Sequence, residues 1–346
     1  MSINIKQIAK LAGVSPSTVS RIINGKKCIS EATKNKVMEI VNRENYQPNE
    51  IAKSMKNKQT NTICLMLPTI ENVAYAPIAK GVEEIAREND YIVVICNTDE
   101  DKLKEAKYIE NMKNRMVDGF VIASAFREHE NLVKLRNEGF PVVLASRYEL
   151  SDIHTIDVCT VNDYRAAYIV TEYLIKTNHH HISLAIGNLD IYYSRERLRG
   201  YKDALIDNGI EFDPDLIMYF DKDNSCFYPK TLDLVKRRPD IDAIFASSDM
   251  KAIYILKALN ELHIRVPEDI SLFGFDNISI ASACYPALST VSQSPNELGR
   301  VAARNLIKQI KFKRKYGHLP IPQYNLIDYN LIIRESCITR NPDKQK

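Results

Sequence analysis

An all-α head followed by a larger α/β body is the fold class this chain predicts, on three observations. Two short amphipathic segments meet at a Gly-Val-Ser turn within the first 25 residues. From residue 61 onward, apolar runs of strand length alternate with helical patterns, as parallel sheets with helices on both faces require. The charge balance also changes sign between the two parts. Residues 1–60 carry 11 Lys+Arg against 4 acids, a net of +7, whereas the remainder holds 36 bases and 40 acids, a net of −4.

In the head, Ile5, Ile8, Ala9, Leu11 and Ala12 recur at helical spacing, and Val19, Ile22 and Ile23 do so after the turn. The pair reads as a helix-turn-helix with one shared core. Ser15 supplies an N-cap oxygen for the second helix, and Pro16 fits the first helical position, where its missing donor costs nothing. Ser17 and Arg21 lie four apart on the exposed face with Ser20 beside them, the arrangement a helix uses to present side chains to base edges in a major groove. A third helix starts at the Ser30 cap, turns Val37, Ile40 and Val41 inward, and ends near Tyr46. The basic balance suits duplex DNA, with counterion release making binding salt dependent. After Pro48 a short segment carries Ile51, Ala52 and Met55 on one side. About two turns of helix are marginal alone, so this segment is expected to order only against its dimer mate on DNA.

In the body, strands are expected at 62–68, 91–98, 117–124 and 141–147, with helices through Ile78, Val82, Ile85 and Ala86, over 102–114 and over 129–138. A second array has helices over 164–176, 196–209, 229–237 and 251–262 and strands at 181–187, 216–220, 243–249 and 270–276. Two such doubly wound sheets joined edge to edge leave a cleft at the carboxyl ends of their strands. Arg197, at a helix start facing it, offers a rigid donor fork for hydroxyls or a carboxylate. Asp276 and Asp249 end strands where carboxylates accept hydroxyl donors, Asp249 with an equal claim to a capping role. Tyr75, in the loop after the first strand, is a stacking candidate.

Other chemistries find no support. No G-x-G-x-x-G or G-x-x-x-x-G-K-[ST] occurs, so the usual nucleotide cradles are absent. Seven scattered cysteines without a C-x-x-C pair read as reduced thiols rather than a disulfide framework. His179, His180 and His181 form a run that reads as a solvated turn, lacking partners at zinc spacing, so neither metal nor cofactor is expected. The N-terminus lacks an apolar leader and no run reaches the length of a membrane span, so a cytoplasmic protein without membrane contact is expected.

The ordered motifs AGVSPSTVSRIING, YQPNEIAKSM, VDGFVIAS, RLRGYKDAL, SSDMKAI, VPEDISLFGFDN and LSTVSQSPNELGRVAA resemble the lactose-repressor (LacI/GalR) family from end to end. The resemblance implies an operator-binding, homodimeric regulator whose body is a two-subdomain core like that of periplasmic sugar-binding proteins. It implies base-reading roles for Ser17 and Arg21, a backbone contact for Asn24, and a minor-groove wedge at Met55, where the family usually has leucine. Ser15, Pro16, Ser20, Lys26, Tyr46, Asn49 and Ala52 complete the candidate DNA contacts. It also places effector contacts at Arg197 and Asp276. One departure is the Ser146-Arg147 pair ending the fourth strand, where the family commonly has an aspartate before the arginine. A hydroxyl and a cation there favour a sugar acid or sugar phosphate over a neutral sugar. Asn162-Asp163 reverses the usual Asp-Asn order, which is expected to touch the subdomain hinge more than ligand chemistry.

The expected divisions are a 1–48 headpiece, a 49–60 hinge, one subdomain from 61–161 and 292–322, and another from 162–291 and 323–340. The dimer surface is expected to include 74–88 and 251–262, and the tail lacks the heptads of a coiled-coil tetramer. Two other readings share the fold: control by a phosphorylated protein partner, and a cytosolic sugar-binding protein.

Overall fold

The computed structural model describes residues 3–23, 29–46, 60–115, 117–124, 130–221 and 223–340. The chain forms two compact units, residues 1–60 and 61–346.

The first unit holds α1 (Ile5–Ala12), α2 (Pro16–Ile23) and α3 (Glu31–Arg43). Asn4 caps α1 reciprocally: its side chain accepts from the Lys6 and Gln7 N–H groups, while the Gln7 side chain accepts from the Asn4 N–H. Gly13, at φ +68°, ends the helix in the left-handed conformation that glycine adopts without strain. Ile8, Ala9, Ala12, Val19, Ile22, Val37 and Ile40 form the core, with Ile5, Ile23, Val41 and Tyr46 packed against it. Leu11 is a correction, being 49% exposed. At 3.6 residues per turn it falls roughly 110° from the middle of the stripe set by Ile5, Ile8, Ala9 and Ala12.

The second unit contains two parallel sheets. The first has the order β11-β5-β4-β3-β1-β2, from β1 (Thr62–Leu67), β2 (Ile92–Asn97), β3 (Gly119–Ile122), β4 (Val142–Ala145), β5 (Asp157–Thr160) and β11 (Tyr324–Leu326). Successive β1 residues face opposite ways, so Ile63, Leu65 and Leu67 pack with α4 (Ala76–Glu88) and α11 (Pro295–Tyr316). Cys64 and Met66 pack on the other face, with α5 (Lys102–Asn114) and α6 (Glu130–Asn137).

The second sheet runs β7-β6-β8-β9, from β6 (Ile182–Ile186), β7 (Ile217–Tyr219), β8 (Ala243–Ala246) and β9 (Ser271–Phe273). One face carries α7 (Asp163–Lys176) and α8 (Tyr192–Asp207), the other α9 (Phe227–Arg237) and α10 (Asp249–Glu261). Beside β9 lies β10 (Thr290–Ser292), bridged to it and paired antiparallel with β12 (Asn330–Ile332).

Every strand expected from the apolar runs is present. Not anticipated were β5, whose short run DVCT opens on a buried aspartate, β10, β11 and β12, and the long helix α11. The chain passes between the sheets three times: after β5, after β10 and after β11. The third passage corrects the expected boundary at 322/323. Tyr324, Asn325 and Leu326 pair in register with Val158, Cys159 and Thr160, so this segment completes the first sheet. Among the described residues, no helix is long and apolar enough to cross a membrane.

Candidate functional site

On the headpiece, α2 is set by its cap: the Ser15 Oγ accepts from the Thr18 N–H at 3.2 Å and lies 2.7 Å from the Ser17 Oγ. Ser15, Pro16, Ser17 and Arg21 are exposed and Ser20 is half-buried, so the face read from sequence as base-reading stands open. Tyr46 is half-buried against the headpiece core, where burial raises its phenol pKa. Asn24, Lys26, Asn49, Ala52 and Met55, together with the expected hinge helix, lie outside the described residues.

In the body, a cavity of about 330 Å³ is walled by residues of both subdomains beyond the carboxyl ends of the strands. Arg197, in the second turn of α8, is 4% exposed. Its Nε and Nη2 donate to the Asp163 Oδ1 at 2.8 and 2.7 Å, and its Nη1 to the Ser247 carbonyl at 2.6 Å. The guanidinium lies 3.6 Å from the centre of the Phe275 ring. Asp163 is the first residue of α7, capped by Asn162, whose side chain accepts from the Arg165 N–H. The reversed Asn-Asp order thus supplies both a helix cap and the anchor of Arg197 at the first passage between subdomains.

Arg147 faces the same cavity after Ser146, whose φ of +71° turns the chain away from β4. The Arg147 Nη1 and Nη2 donate to the two Glu100 carboxylate oxygens at 2.8 and 2.7 Å. Its charge is therefore largely matched within the protein, which weakens the inference of an anionic ligand from this pair. Its buried Nε finds no acceptor among the described residues. Tyr75 is 7% exposed and lines the cavity beside Arg147, where burial holds its phenol well above the usual range. Asp276 also lines the cavity, at φ +116°, and accepts from the Gln293 Nε2 at 2.6 Å. Burial pushes its carboxyl up to about 6, opposed by the charges of Arg197 and Lys251.

Asp249 is a correction, because it does not line the cavity. Both carboxylate oxygens are occupied, one by the Thr290 hydroxyl at 2.6 Å and the other by the Ile278 N–H at 2.9 Å, which ties the start of α10 to the 276–278 turn and β10. Burial, helped by the Asp276 charge, pushes its carboxyl up to about 7. Ser248, not Asp249, is the α10 N-cap.

Lys251 was missed. It is 8% exposed, lines the cavity, and donates from Nζ to the Ser248 Oγ at 2.9 Å. Burial lowers its pKa to about 8, opposed by the Asp276 charge across the cavity and reinforced by the charges of Arg197 and Arg147. The sequence did carry a signal, since a cation in the first turn of a helix opposes the helix dipole. The histidine run is structural, not a solvated turn throughout. His179 is fully buried, its ring bonded to the Leu174 carbonyl and the Ser271 hydroxyl, and the N–H groups of His180 and His181 donate to the Asp242 carboxylate.

Comparison with known proteins matches residues 4–49 to the family described as bacterial regulatory proteins, lacI family, and residues 60–329 to periplasmic binding proteins and the sugar binding domain of the LacI family. The chain is 35% identical to the HTH-type transcriptional regulator RegA of Clostridium acetobutylicum, over 97% of this chain and all of that protein. It is 33% identical to the HTH-type transcriptional regulator DegA of Bacillus subtilis, over 99% of this chain and all of that protein. Among solved structures, the transcriptional regulator CelR–cellobiose complex superposes with a TM-score of 0.74 at 28% identity, covering 96% of this chain and 99% of that one.

Proposed function

Because this chain belongs to the LacI family of DNA-binding transcriptional regulators, which are not enzymes, we propose that it is an operator-binding repressor controlled by a small carbohydrate-type effector. The observation that carries the effector half is the cleft at the strand ends, walled by both subdomains and holding polar groups already fixed in place. Arg197 is pre-oriented by Asp163 and Ser247, and Asp276 by Gln293, so neither must be ordered when a ligand arrives. The cellobiose held by one relative supports the carbohydrate class. A ligand touching both subdomains alters their relative tilt, and with it the spacing of two recognition helices that must fit their half-sites together.

A homodimer supplies those two helices. The support in this chain is the exposed apolar side chains of the first subdomain: Ile95, on the edge strand β2 and on the face of α4, is 52% exposed, and Ile70 and Val73, just before α4 in sequence, are exposed as well. Segment 74–88 is part of the expected surface, and exposed Ile95 adds the β2 edge to it.

Base reading by α2 is tested with duplexes selected by this protein from a random library. Arg21→Ala should cost about 1–3 kcal/mol on the selected site and relax preference at one base position, measured by fluorescence anisotropy. An equal loss on every duplex would reduce Arg21 to a phosphate contact.

A further inference from the structure

We propose that Lys251 is the specificity-determining contact of the cleft, selecting an effector that carries one anionic group, a carboxylate or a phosphate, on a polyhydroxylated body. This rests on the small-molecule reading of the cleft. Three cationic side chains line the cavity, and two are answered within the protein: Arg197 by Asp163 and Arg147 by Glu100. Lys251 feels the Asp276 charge across the cavity, but no carboxylate stands within ion-pair distance of it among the described residues, and its Nζ makes one hydrogen bond, to the neutral Ser248 hydroxyl. Two of its three N–H donors therefore remain available to a ligand.

The position is unfavourable for a lysine with a purely structural role. It is more than nine-tenths buried, with Phe227 beneath it at 5.8 Å from the ring centre, and it sits in the first turn of α10 against the helix dipole. The Ser248 oxygen it contacts already serves as cap for that helix without it. A buried ammonium in a cleft is matched when an anion binds beside it. The space for that anion is kept by Gly187 at the end of β6, where an added Cβ would stand 3.7 Å from the Lys251 Nζ and 2.9 Å from the Ser194 Oγ. Asp276 has the opposite preference and suits the hydroxyls of the ligand body.

The test is isothermal titration of the full chain with matched pairs at equal ionic strength: D-glucose against D-gluconate and D-glucose 6-phosphate, and D-ribose against D-ribonate and D-ribose 5-phosphate. The expected result is that one anion binds about tenfold or more tightly than its neutral parent, as a charge-assisted contact implies. Lys251→Met, which keeps the stem against Phe227, should erase that preference and leave the neutral parent unchanged; Lys251→Gln repeats the test should the methionine variant not fold. A preference for the acids assigns the carboxylate, and for the esters the phosphate. A neutral sugar bound as tightly as its anions, or an anion preference that survives in both variants, overturns the assignment of Lys251 while leaving a small-molecule cleft. Failure of all six compounds to bind the wild-type chain removes the small-molecule reading and the Lys251 assignment with it.

Discussion

Asp249 and Lys251 stand two residues apart and do different work. An acid whose pKa rises on folding holds its proton more tightly in the folded chain, so its stabilising contribution is complete below its ordinary value near 3.8 and is lost as pH rises toward the folded value. For Asp249 that loss runs up to about pH 7, and Asp276 acts in the same direction up to about 6. Asp249→Asn should therefore flatten the decline of stability between about pH 4 and 7 in urea unfolding. It should stay within about 1 kcal/mol of wild type at pH 7, since the amide oxygen can keep the Ile278 N–H and the Thr290 hydroxyl can turn to accept. Asp249→Ala leaves the Ile278 N–H buried without a partner and should cost about 2–3 kcal/mol. Sequence could not separate these roles, because a carboxylate at a strand end looks the same whether it turns into the cleft or under the next loop. Arg197 and Asp276 were legible because they combine a strand-end or helix-start position with chemistry suited to hydroxyls. Lys251 was passed over because a lone lysine in a helical pattern ordinarily reads as a solvated face.

Helices α4 and α11 meet through glycine on both sides. A Cβ on Gly299 would stand 2.2 Å from the Ile78 carbonyl oxygen, and one on Gly81 would stand 2.1 Å from that of Asn296. The obstacles are backbone atoms, which cannot rotate aside, so Gly299→Ala should destabilise the chain by about 1–3 kcal/mol in urea unfolding. The same substitution at Gly317, with open space around it but φ +81°, meets only the strain of the left-handed conformation. Strands with continuous apolar runs, such as TICLML and VVLA, were readable because both faces of a parallel sheet are covered. The carboxyl-terminal strands were not readable for a different reason. The tetrapeptide Tyr-Asn-Leu-Ile occurs at 324–327 and again at 329–332, yet the first copy pairs with β5 in one sheet and the second with β10 beside the other. Identical local words cannot declare different partners, and only the tertiary pairing decides.

The opposite charges of the two units carry the division of labour. A net of +7 over residues 1–60 is what makes the whole chain a polyanion binder, so residues 61–346 alone should unfold cooperatively but lose the steep salt dependence of duplex binding between about 50 and 200 mM salt, read by anisotropy. That asymmetry was visible in the counts. The interleaving of the body was not: the pairing of Tyr324–Leu326 with β5 carries the first sheet past the expected boundary at 322. This interleaving fixes an order of events during synthesis. The head is finished within the first 50 residues or so, whereas the first sheet cannot close until Tyr324–Leu326 has left the ribosome, long after β5 at 157–160. At typical elongation rates that interval is roughly 10–30 s. Throughout it the nascent chain carries an unpaired β5 edge, and for most of it an apolar sheet face that α11 has yet to cover, a window in which the growing polypeptide is most open to chaperones and to mispairing with its neighbours on the same message.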